Sequence, residues 1–91
     1  MRIDEFPEEL KIFVSEAMTL EPEEYLSYEI NDIWHIAVGA DEDGFNCELL
    51  YCPYGVDNIE KCAFVEKDKV NEIPTVIEYL NNCAIDKIGG M

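Results

Sequence analysis

Between Lys11 and Lys61 the chain has no basic residue. A surface built to hold a phosphate backbone needs Lys and Arg, so direct nucleic-acid binding is disfavoured. Glycine is sparse and nowhere forms a phosphate-cradling loop; Gly89-Gly90, near the last residue, does not serve as one. No apolar run approaches the roughly 20 residues of a membrane span. Met1-Arg2-Ile3-Asp4-Glu5 also lacks the basic-then-apolar order of a signal peptide. These absences predict a cytoplasmic chain, of a bacterial or phage-infected cytosol, with no membrane partner.

Metal and nucleophile motifs are equally thin. Cys47, Cys52, Cys62 and Cys83 form neither a CxxC pair nor a zinc-knuckle pattern, which in a cytosolic chain reads as four free thiols. His35 is the only histidine. It is expected to face Cys52 across a hairpin, but no third group to orient the imidazole is identifiable, and a zinc site needs two further ligands. Asp41-Glu42-Asp43-Gly44 has the carboxylates a calcium ion wants. In an EF-hand a glutamate follows the loop glycine by six residues, and Leu50 stands there. No catalytic residue, metal or cofactor is expected.

What is present is acid. The 91 residues carry 21 acids against 6 bases, net −15. Sixteen of the acids but only Arg2 and Lys11 among the bases fall in residues 1–60; residues 61–91 are nearly neutral. The stretch without bases holds Glu16, Glu21, Glu23, Glu24, Glu29, Asp32, Asp41, Glu42, Asp43, Glu48, Asp57 and Glu60. Like charges about 7 Å apart repel by roughly 0.6 kcal/mol in water, and a small fold has only a few kcal/mol to spare. Solubility alone needs fewer charges.

Length and composition predict one domain, 1–91, of α+β class: an N-terminal helix, an antiparallel sheet of three to four strands and a C-terminal helix. Phe6, Leu10, Phe13, Val14, Ala17 and Met18 recur at helical spacing, predicting a helix over 4–20 with Pro7 in its first turn. Residues 22–30 read equally as a short helix or a strand. From Ile33 the period becomes two, and Asp43-Gly44 is the expected hairpin turn, with Trp34, Ile36, Val38 and Ala40 sharing a face with Cys47, Leu49 and Tyr51. A further strand is predicted over 59–66. Asn71 is the expected cap of a last helix whose stripe is Ile73, Val76, Ile77, Leu80 and Cys83, followed by a tail, 84–91, that carries Gly89-Gly90 and frays at its end.

In size, one-sided acidity and lack of catalytic motifs, the chain resembles the small phage-encoded inhibitors of host defence nucleases, the anti-CRISPR proteins and other DNA mimics. The likeness is one of class and rests on the acids from Glu16 to Glu60. It implies a non-enzymatic inhibitor that docks its acidic surface on the basic nucleic-acid-binding groove of a nuclease complex. Tyr25, Tyr28, Tyr54 and Phe45 are the expected aromatic anchors beside the acids. The alternative is an acidic immunity or regulatory protein that binds another basic protein.

Overall fold

The computed structural model describes residues 2–89. A single 3-10 turn, Ile3–Glu5, precedes helix α1, Glu8–Ala17. Four strands follow: β1 Tyr25–Glu29, β2 Trp34–Ala40, β3 Gly44–Tyr51 and β4 Asn58–Glu66. A 3-10 segment, Lys67–Glu72, leads into helix α2, Ile73–Gly89. The strands form one antiparallel sheet in the order β1-β2-β3-β4. This is the α+β architecture the sequence predicts, with 25–29 resolved as a strand.

Both helices contribute to one core on one face of the sheet. Leu10, Phe13, Val14 and Ala17 of α1 and Ile73, Ile77, Leu80 and Ala84 of α2 are buried there with Trp34, Ile36, Val38, Phe45, Cys47, Leu49 and Val65. Leu26, Tyr28 and Tyr51 share that core face, and two-residue alternation puts the strand residues between on the opposite face, which among the described residues no helix covers. Register lines that face up in rows: Tyr25, Gly39, Asn46 and Phe64; Ser27, Ala37, Glu48 and Cys62; Glu29, His35, Leu50 and Ile59. Among the described residues no helix is long and apolar enough to cross a membrane.

Three local expectations are corrected. Pro7 does not sit inside a helix over 4–20: its backbone is extended (φ −55°, ψ 151°), it caps α1 from outside, and its carbonyl accepts the amides of Leu10 and Lys11. The hairpin is not a two-residue Asp43-Gly44 turn, because Ala40 pairs with Phe45. The tip is Glu42-Asp43 instead, closed by the Asp41 amide donating to the Gly44 carbonyl at 2.8 Å, and Asp41 fixes it by accepting the Asp43 and Gly44 amides at 2.7 and 2.9 Å through Oδ1. Gly44 belongs to β3, where any Cβ would lie 2.2 Å from the Val65 carbonyl oxygen, so glycine is needed for close approach of β4. Asn71 lies within the 3-10 segment and caps nothing. Helix α2 continues through Gly89 with Ala84 fully buried; Gly90 and Met91, the end of the tail expected to fray, lie outside the described residues.

Candidate functional site

Two short turns meet at one end of the sheet. Before β1, the Glu24 amide donates to the Glu21 carbonyl at 3.0 Å, with Pro22 at the second position and Glu23 at φ 76° at the third. Pro followed by a positive φ is the pattern of a type II turn, whose third position favours Gly or Asn. After β2 comes the Asp41 turn. The Glu23 amide donates to the Ala40 carbonyl and the Ala40 amide to the Glu24 carbonyl, both at 2.9 Å, which fastens one turn against the other.

Glu21, Glu23, Glu24, Asp41, Glu42 and Asp43 are therefore gathered at this end, all exposed, and Pro22, Glu23, Asp41 and Glu42 line a groove of about 430 Å³. Among the described residues the ion pair found is Lys69 with Glu66 at 3.9 Å, so none of these six carboxylates is paired with a base. Two of them have structural work as well. Asp41 closes its turn, and Glu24 Oε1 accepts the Glu21 amide at 2.8 Å.

The other predicted acids are not brought to this end. Glu29, Asp32, Asp57 and Glu60 lie at or near the opposite end, about 20 Å away across the seven residues of β2 at roughly 3.3 Å each. Glu48 is half-buried in the middle row of the open face, beside Cys62. Glu16 is exposed on α1, in the helical layer. Glu60 is the extra residue where the β3–β4 register shifts at Leu49 and Leu50, and it lines a cavity of about 210 Å³ with Trp34, Tyr51 and Lys87.

The aromatic anchors divide in the same way. Tyr25 is 73% exposed and begins β1 immediately after Glu24, which suits an anchor beside the acidic end. Tyr54 is 93% exposed but belongs to the far loop between β3 and β4. Phe45 is not an anchor, because it faces inward at 6% exposure. Tyr28 is half-buried with its ring centroid 5.7 Å from that of Phe13, and burial followed by the nearby Glu9 raises its pKa. Alternation along β1 could have separated Tyr25 from Tyr28 once 25–29 was read as a strand. Phe64 and Ile59, both exposed on the open face, were not singled out by the sequence.

His35 and Cys52 do come together, though not as a directly opposed pair. His35 pairs with Leu50, and Cys52 lies diagonally beyond, its amide donating to the Ile33 carbonyl at 2.7 Å. Cys52 Sγ is 3.7 Å from His35 Nδ1, and the thiol donates to Asp57 Oδ1 at 2.9 Å. Asp57 is thus a third group that the sequence did not reveal, contributed by a loop whose path only the fold sets. Burial, then the Asp57 hydrogen bond and charge, push the Cys52 pKa up to about 11, so at neutral pH it is a thiol and not a ready nucleophile.

No protein-family model, curated protein or solved structure gives a significant match to this chain.

Proposed function

We propose that this protein is a non-enzymatic binding protein that docks its acidic end, Glu21, Glu23, Glu24, Asp41, Glu42 and Asp43, on the basic nucleic-acid-binding groove of a nuclease complex, in the manner of an anti-CRISPR or other nucleic-acid mimic. The observation that carries it is Glu23. A non-glycine residue at φ 76° costs of order 1 kcal/mol, and here that strain holds one more carboxylate among five that, among the described residues, make no ion pair. A turn selected for stability alone would have glycine or asparagine at this position. A basic groove repays both strain and repulsion by pairing with the carboxylates, and it accelerates encounter by electrostatic steering.

A second reading, an acidic immunity or regulatory protein binding some other basic protein, is favoured by the open sheet face, where exposed Tyr25 and Phe64 end one row and Ile59 another. One experiment separates the two. The chain is used to capture partners from a host lysate with and without added DNA or RNA. A nuclease that nucleic acid displaces supports mimicry, and a partner indifferent to nucleic acid supports the second reading. Capture unchanged by reversing Glu23 and Glu42 to Lys refutes the acidic end as the docking surface in either case.

A further inference from the structure

On the open face of the sheet, away from the acidic end, His35 of β2, Cys52 just past β3 and Asp57 of the following loop offer one ligand atom each, all within 4.8 Å of one another. We propose that these three residues form a binding site for one borderline divalent cation of the zinc class, held by a His35 ring nitrogen, Cys52 Sγ and an Asp57 carboxylate oxygen.

The donor set and the distances both fit. Thiolate, imidazole and carboxylate together suit zinc, whereas calcium and magnesium take oxygen ligands. Zinc bonds of about 2.3 Å to sulfur and 2.0–2.2 Å to nitrogen or oxygen put tetrahedral ligand atoms about 3.5 Å apart. Sγ to Nδ1 is 3.7 Å, and Sγ to Asp57 Oδ1 is 2.9 Å because a hydrogen bond now joins them. Replacing that thiol proton by a metal opens the Sγ–Oδ1 distance by roughly half an ångström and draws the His35 and Asp57 ligand atoms, within 4.8 Å of each other, together by about 1 Å; Asp57 is exposed in a loop where such a movement is easy. Charge balances as well: a thiolate, a carboxylate and a neutral imidazole carry −2 against the +2 of the ion, with the thiol proton released to solvent.

A separate observation points the same way. His35 Nε2 is buried with no hydrogen-bond partner. A ring nitrogen that is neither bonded nor solvated is unusual unless something else engages the imidazole. Ligating histidines commonly donate their second N–H to a carboxylate; Glu29 is the register partner of His35 across the sheet on this same face, although Nε2 makes no hydrogen bond to it in the metal-free protein. Three protein ligands leave a fourth position for water or for a donor from a partner, and the exposure of Asp57 opens the cluster to solvent on its side.

The general attraction of a −15 chain for cations must be told apart from a built site, so the probe is Co²⁺, followed by displacement with Zn²⁺. The wild-type protein, reduced and metal-free, should take up one equivalent of Co²⁺ with the ultraviolet charge-transfer band of a thiolate ligand and the intense visible bands of a tetrahedral ion. One equivalent of Zn²⁺ should abolish both and protect Cys52 from alkylation. Cys52→Ser should lose the charge-transfer band, and Asp57→Asn and His35→Gln should each weaken Co²⁺ binding at least tenfold. Cys62→Ser and Glu23→Gln should bind as wild type does, with circular dichroism confirming that every variant is folded. A wild-type spectrum without the thiolate band, or a band that persists in Cys52→Ser, overturns the proposal; so does Asp57→Asn binding like wild type.

Discussion

The Glu23 amide donates to the Ala40 carbonyl at 2.9 Å, joining a strained turn of one carboxylate run to the turn that carries the other. This bond lets two acidic stretches 18 residues apart act as one surface, and it sets the expected behaviour of substitutions there.

Glu23→Gly should stabilise the fold by about 0.5–1 kcal/mol while weakening partner binding, since glycine adopts positive φ without strain and brings no carboxylate. Chemical denaturation gives the first quantity and a binding titration the second. A variant that gains stability and binds as before would mean that Glu23 has no role in docking.

Reversing Glu42 and Asp43 to Lys should weaken binding by at least tenfold and more at low salt, whereas reversing Asp32 and Glu29, at the far end, should do much less. Asp41 is unsuited to that comparison. Its carboxylate accepts two backbone amides, so Asp41→Ala should cost about 1–2 kcal/mol of stability regardless of any partner. Glu72 is the better control in the C-terminal third, because Glu78 Oε2 accepts the Ile3 amide at 2.9 Å and so tethers the first turn.

Raising salt from about 0.05 to 0.5 M should raise the melting temperature, because screening relieves repulsion in a chain of net charge −15 with, among the described residues, one exposed ion pair to lose. Thermal melts in NaCl and in KCl, compared at matched ionic strength, check that the effect is screening and not ion-specific.

Burial, and secondarily Glu48, push the Cys47 pKa up to about 11 from an ordinary value of 9.0. The unfolded thiol ionises first, so the unfolded state binds fewer protons across that interval and stability falls as pH rises. The contribution is complete below pH 9 and is lost progressively towards pH 11. Tyr28, also raised, adds to the fall with the same sign. Cys47→Ala should therefore be less stable than wild type at pH 7, from the cavity it leaves, yet lose less additional stability between pH 9 and 11. Denaturant melts at the three pH values measure this.

Gly44→Ala should destabilise by about 1–3 kcal/mol, since its Cβ would meet the Val65 carbonyl at 2.2 Å and only a shift of β3 from β4 relieves the clash.

Periodicity carried the architecture. The change from helical spacing to alternation at Ile33 placed β2 and β3, and parity put Trp34, Ile36, Val38, Cys47 and Leu49 on the core face even with the hairpin register shifted by two residues, because a shift of two leaves every side chain on the same face. Charge sign and its confinement to residues 1–60 were likewise legible, being properties of composition. Helix boundaries were less so: whether Pro7 lies in or before α1 depends on its ψ, and how far α2 runs past Asn82 depends on the core into which Ala84 packs. The sites were decided by tertiary structure alone. Which acids become neighbours follows from the Glu23–Ala40 pairing and not from their order along the chain, so Glu21 joins Asp43 while Glu29 is carried to the opposite end. Asp57 reaches Cys52 and His35 only because the loop from β3 to β4 folds back over the end of β3, a proximity in space that no spacing in the sequence encodes.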